Sequence, residues 1–194
     1  MKLGLRADHA IVLAALAAAP AAAQPVPVGE EGALAELLAP KPGASICYAR
    51  TYDEAHLKRH PDQTVTAVQF RLEYFKHDPD EYRPDGQRNY YFSMGVNLRD
   101  RPGLVSTGGE CTPGEGTIRC GVDCDGGGVL LERESSGAIL IDLESTGRIV
   151  MAGCGGGEGD SIELTPGLDD KQFRLEKAGA EACRPLEAIF SGAE

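Results

Sequence analysis

Gly108-Gly-Glu-Cys-Thr-Pro-Gly-Glu-Gly-Thr-Ile-Arg-Cys-Gly-Val-Asp-Cys-Asp-Gly-Gly-Gly128 holds three of the chain's six cysteines and eight of its 25 glycines in 21 residues. Turn formers and potential cross-links at this density mean that strands reverse here and are fastened together. Glycine admits the positive φ of tight hairpins, and cysteines facing each other across two strands lie within bonding reach. A two-residue turn at Glu115-Gly116 places Cys111 opposite Cys120.

Outward from this stretch the period of two is sustained. In Thr64–Lys76, Val68, Phe70, Leu72 and Tyr74 face one way and Gln69, Arg71 and Glu73 the other. Asn89–Arg99 alternates again with Tyr90, Phe92, Met94, Val96 and Leu98 inward. Further strand-like segments are Ser45–Arg50, Leu104–Cys111, Thr117–Val122, Val129–Glu134, Ala138–Glu144, Arg148–Ala152, Ser161–Leu164 and Gln172–Glu176, separated by Gly-, Ser- or Pro-rich turns. Short strands joined by tight turns make an antiparallel meander, and a meander of this length closes so that no edge is left exposed. The expected fold is therefore mainly β: an up-and-down β-barrel, or a barrel-like sandwich, with one or two short N-terminal helices and disulfide bonds.

Met1 to Ala23 has the three parts of a secretory signal: basic Lys2 and Arg6, an apolar run from Ala10 to Ala19, and Ala21-Ala22-Ala23 before Gln24. Cleavage is expected after Ala23, giving a periplasmic or secreted protein. Its oxidising compartment turns the cysteines into disulfides rather than thiolate metal ligands. Cys47 and Cys183, at the start and end of the body, are expected to pair, as are Cys111 and Cys120. That leaves Cys124 with Cys154, a pairing that a strict meander disfavours. Residues 24–44 read as a linker and a short helix, in which Leu34, Leu37 and Leu38 form an apolar face that packs against or trails from the body. Residues 45–187 form one β domain and residues 188–194 a tail.

Thr51-Tyr-Asp-Glu54 fits a capping box, with Thr51 as cap, opening a helix that Pro61 ends. His56 and His60 then stand four apart on one helical face, a spacing at which two imidazoles can share a metal ion, with Asp53 as a third ligand. Leu57 stands where a zinc protease needs its glutamate, which excludes that class. Asp123 to Glu134 partly matches a calcium loop through Asp123, Asp125, Gly128 and Glu134, although Gly127 fills a ligand position. The simpler reading of both sets is structural: a helix end for the histidines, a tight turn for the aspartates. No cofactor is predicted beyond calcium or another divalent ion at one of these sets.

Cys47-Tyr-Ala-Arg-Thr-Tyr-Asp-Glu-Ala-His-Leu-Lys-Arg-His-Pro-Asp-Gln63 together with Cys120-Gly-Val-Asp-Cys-Asp-Gly-Gly-Gly128 resembles an uncharacterised family of exported bacterial proteins, a resemblance that implies no activity. A second, slighter similarity is to periplasmic inhibitors of c-type lysozyme, disulfide-linked β-barrels with a Ser-Gly-Ala motif followed by tyrosine. Here Ser136-Gly137-Ala138 is followed by Ile139 instead.

The formal net charge is −11, and it becomes −12 once Lys2, Arg6 and Asp8 leave with the signal. Such a field repels nucleic acid and anionic lipid and favours a basic protein partner. Aromatics make up 6% and tryptophan is absent, so few flat side chains remain to line a sugar or ring pocket. The main apolar run of the leader is too short to span a bilayer, so no stable membrane insertion is expected. Oligomeric state is not read from the sequence. The reading favoured by these features is a non-catalytic periplasmic binding or envelope-maintenance domain. The alternatives are an inhibitor of a basic hydrolase such as a c-type lysozyme, and a metal-dependent protein using the His-x3-His pair.

Overall fold

The structure is a computed structural model that describes residues 26–81, 86–123, 125–151 and 161–189. Among these residues run ten strands: β1 (Ser45–Thr51), β2 (Val65–Lys76), β3 (Arg88–Leu98), β4 (Leu104–Pro113), β5 (Ile118–Gly121), β6 (Gly128–Arg133), β7 (Ile139–Asp142), β8 (Ile149–Met151), β9 (Ile162–Leu164) and β10 (Gln172–Ala178). Eight close an antiparallel barrel in the order β1-β10-β7-β6-β5-β4-β3-β2. The up-and-down path holds from β1 to β7 and is then interrupted. β8 and β9 pair with each other instead of joining the wall. Glycine explains the departure: Gly128 N donates to Arg148 O at 2.9 Å and Val150 N to Gly126 O at 2.7 Å, which holds β8 on the glycine turn at one barrel end.

The inward residues of successive strands meet in register, Tyr48 with Phe70, Phe70 with Met94, Leu72 with Phe92, and Leu131 with Ile141. All are buried, and the interior is filled by the protein's own side chains. Both ends are plugged. At one end lies α1 (Ala33–Leu37), with Leu34, Leu37 and Leu38 in the barrel core, the buried Tyr90 hydroxyl donating to Leu38 O at 3.1 Å and Val26 N donating to Arg88 O at 3.2 Å. Of the two alternatives for this segment, packing against the body is the one observed. At the opposite end Ile149, Met151 and Leu164 of the β8–β9 hairpin close the core.

The hairpin of β4 and β5 has the expected register. Cys111 faces Cys120, Pro113 faces Ile118, Gly114 N donates to Thr117 O at 2.8 Å, and Gly116 turns the chain at φ 76°. The disulfide between Cys111 and Cys120 lies inside the barrel, where both residues belong to the main core. Cys47 and Cys183 also form a disulfide, and their setting is different. They lie with Leu186 in a second, smaller core on the outside of the wall. Leu186 belongs to a 3-10 helix, Ala180–Ile189, that covers part of β1 to β4. The remaining cysteines, Cys124 and Cys154, lie outside the described residues, as does the signal segment with its cleavage point.

That outer helix needs a flat seat, which Gly95 of β3 provides. A Cβ there would stand 2.9 Å from Leu186 Cδ2 and 3.0 Å from Leu104 Cδ1, closer than carbon atoms pack. Gly95→Val is expected to unseat the helix at a cost of about 1–3 kcal/mol, the usual range for overpacking. Urea denaturation, with hydrogen exchange at residues 183–189, measures it. An unchanged midpoint would show that the helix adjusts freely.

Candidate functional site

The second helix, α2 (Glu54–Arg59), is the element on which the two histidines ride. Its cap is Asp53, whose Oδ1 accepts from His56 N at 2.7 Å, and this corrects the capping box assigned to Thr51. Thr51 is still paired with Ala67 as the last residue of β1, and a residue held in a strand ladder cannot also open a helix. No residue of α2 is buried, so apolar packing does not hold it in place. Arg99 does so by donating to three main-chain oxygens around the helix end: Gln63 O at 2.6 Å, Leu57 O at 2.7 Å and His60 O at 2.9 Å. A guanidinium on the carbonyls of a helix C-terminus meets both their hydrogen-bonding need and their negative potential.

His56 and His60 do share a face, and they stack. Their ring centroids are 4.4 Å apart, and Tyr52 stacks on the other side of His56 at 4.7 Å. The Arg50 guanidinium lies over Tyr52, 5.4 Å from the ring centroid, completing a column of four planar groups. The His56 Nε2 bonds Gln63 Oε1 at 2.9 Å, and Gln63 in turn donates to Val65 O at 2.7 Å. His60 Nδ1 stands 3.5 Å from Asp169 Oδ1. Burial pushes the Tyr52 hydroxyl above its ordinary pKa, with Arg50 opposing the shift and Asp170 adding to it.

This column lines a cleft of about 300 Å³ together with Gln63, Asp169, Gln172 and Arg174. The cleft opens where β1 and β10 part: their ladder ends at Ala49 and Glu176, while β1 continues to Thr51 and β10 begins at Gln172. Two further clefts lack such a set of planar and cationic groups. One of about 570 Å³ is lined by Thr64, Leu98, Arg101 and Asp170 among others, and one of about 290 Å³ lies beside the outer disulfide.

Below the cleft, Asp170 is buried at 1% exposure. Its Oδ2 accepts from Thr64 N and Thr64 Oγ1, both at 2.6 Å, and its Oδ1 from Val65 N at 3.3 Å. The carboxylate thus ties the approach to β10 onto the start of β2.

Asp53, His56 and His60 are neighbours in sequence and space, yet the first is engaged as a cap and the second with Gln63. Among the described residues no three His, Cys, Asp or Glu side chains are grouped as a metal ion would require. Asp123 and Asp125 fall in a tight turn between strands β5 and β6. Gly126 N donates to Asp123 O at 3.2 Å, Val122 N to Gly127 O at 2.9 Å, and Arg148 Nη2 to Asp125 O at 2.8 Å. Asp125 has φ 60°, a left-handed conformation that aspartate tolerates in turns.

The same turn acts on Glu110. Burial raises the Glu110 pKa, Asn89 Nδ2 donating at 2.9 Å opposes the shift, and the Asp123 charge adds to it. A carboxyl whose pKa is raised by folding binds its proton more tightly in the folded state, so stability falls as pH rises through the interval between the unfolded and folded values. Glu110→Gln keeps an acceptor for Asn89 and removes the charge. It is expected to raise the melting temperature at pH 7 and above, with the gain fading in acid. A gain of equal size at pH 4 and pH 8 would assign it to packing instead.

The Ser136-Gly137-Ala138 motif forms the β6–β7 turn. Ala138 N donates to Ser136 Oγ at 3.3 Å, Gly137 has φ 88°, and Arg174 Nη2 donates to Ser136 Oγ at 3.2 Å. Arg174, which also pairs with Glu134 and Glu176, thereby links this turn to the cleft. Arg50, Gln63, Arg99, Asp169, Asp170, Gln172 and Arg174 were not among the sequence-derived candidates. Only Arg50 carried a signal, a charge at the inward parity of Ile46 and Tyr48 near a strand end. No helix among the described residues is long and apolar enough to cross a membrane. No family model, curated protein or solved structure matches the chain.

Proposed function

We propose that the chain is a non-catalytic binding domain of an oxidising compartment, periplasmic or secreted, which takes its ligand in the cleft between β1, α2 and β10. The observation that carries this reading is the filled barrel: with the interior occupied by Tyr48, Phe70, Phe92, Met94 and their neighbours, ligand-sized space lies outside the barrel core. The cleft supplies what a binding site needs, planar faces and convergent donors held by a rigid wall. Amide spectra recorded during titration with a panel of small carboxylates, dipeptides and monosaccharides test it. Shifts are expected to gather at Arg50, His56, His60 and Arg174, with the probes recovered unchanged. Shifts gathered elsewhere, or conversion of a probe into product, would overturn the reading.

A second reading, inhibition of a basic hydrolase, draws on the bond between Arg174 and the Ser136 turn, which sets the turn beside the cleft. It requires that stoichiometric amounts of the chain slow cell-wall lysis by a c-type lysozyme, less so at high salt. Undiminished lysis removes it.

A further inference from the structure

The gap between β1 and β10 exposes main chain as well as side chains. Along a strand in an antiparallel sheet, the N–H and C=O of successive residues point alternately to the two sides. Lys171 O accepts from Leu143 N and Glu144 N on the β7 side, so the main-chain groups of Gln172, Arg174 and Glu176 point toward β1. Glu176 is paired there with Ala49, and the ladder stops. Gln172 and Arg174 therefore carry strand partners on their β7 side alone. An edge of this kind is a template for one more strand.

Charge narrows what that strand can be. Among the described residues the cleft is lined by Arg50, Arg174, two histidines and a single carboxylate, Asp169, in a chain that is otherwise strongly acidic. Arg174 is occupied by Glu134 and Glu176. Arg50 stands over the Tyr52 ring, its guanidinium carbon 5.4 Å from the centroid, with no carboxylate partner among the described residues, which leaves its N–H groups to donate. One such fork matches one carboxylate in a bidentate pair.

We propose that the cleft receives an extended peptide segment of a partner protein, which pairs with the main chain of Gln172 and Arg174 and sets an acidic side chain against Arg50. This rests on the cleft being the binding site and adds the class of ligand. Main-chain pairing supplies affinity without regard to sequence, whereas Arg50 supplies the preference for an acid.

The test uses two blocked peptides, acetyl-Ser-Val-Glu-Thr-Ser-amide and its Gln counterpart, with the mature chain and its Arg50→Gln variant. The Glu peptide is expected to bind about tenfold more tightly than the Gln peptide, from the worth of a charge-assisted bond. It is also expected to slow amide exchange at Gln172 and Arg174. In Arg50→Gln the two peptides should bind alike, and because Arg50 is exposed the variant keeps its fold, which the amide spectrum verifies. Shifts at Arg50 and His60 with unprotected amides at Gln172 and Arg174 would overturn strand addition and leave the cleft reading standing. Retention of the Glu preference in Arg50→Gln would overturn the role of Arg50. If neither these peptides nor the small-molecule panel moves the cleft, both readings fall.

Discussion

Replacing Cys47 and Cys183 together by alanine is expected to lower the unfolding free energy by about 5 kcal/mol in the loop-entropy model, against about 3 kcal/mol for Cys111 with Cys120. The difference follows from the loops they close, with sequence separations of 136 and 9 residues. Position sharpens the contrast. The outer bond joins the 3-10 helix to β1 beside Leu186, so its loss should also release residues 180–189 to hydrogen exchange. The inner bond lies in the barrel core, where a Val pair can refill most of the volume. Urea denaturation of the two double variants decides the matter. If removing the outer bond costs under about 1 kcal/mol, Leu186 packing rather than the cross-link holds the helix.

Asp170→Ala is expected to cost about 2–4 kcal/mol, the range for removing a charged acceptor that serves several donors. Three donors, Thr64 N, Thr64 Oγ1 and Val65 N, lose a buried acceptor, while Thr64 itself is exposed to solvent. Asp170→Asn retains one oxygen but turns an amide N–H toward a donor, so it should recover only part of the loss. Thr64→Val removes one of the three bonds and should cost about 1–2 kcal/mol. Because Asp169 beside it contacts His60, the Asp170 variants should also broaden the amide signals of the cleft. Denaturation midpoints within error of the parent chain would mean that water reaches the vacated position and replaces the carboxylate.

Much of the barrel was legible because it depends on short-range patterns. In β2 and β3 the alternation of Val68, Phe70, Leu72, Tyr74 with Tyr90, Phe92, Met94, Val96 specifies one buried face, and a slip by one residue would turn every one of these side chains into water. The Glu115-Gly116 turn specified the pairing of Cys111 with Cys120 for the same reason. Helix α2 was legible too, but not its cap, since Thr51 and Asp53 are both acceptable caps and β2 decided between them by holding Thr51 in its ladder.

The site was legible only in its local part. His56 and His60 follow from helical spacing, whereas Asp169, Gln172 and Arg174 reach them from more than a hundred residues away, by way of β10 joining β1. Nothing in the local pattern marks Asp170 as buried or Gly95 as the seat of Leu186, because both depend on which distant segment arrives opposite them. The sequence by itself thus determined the strands, their inward faces, the central hairpin and the cysteine pairs at its base and at the two ends of the body. Only the tertiary structure decided that β8 and β9 leave the wall, that a second core forms outside it, and that β1 and β10 part to open a cleft. The first group rests on hydrogen bonds and side-chain parity between chain neighbours. The second rests on close packing and on partners for buried polar groups, which no segment can supply alone.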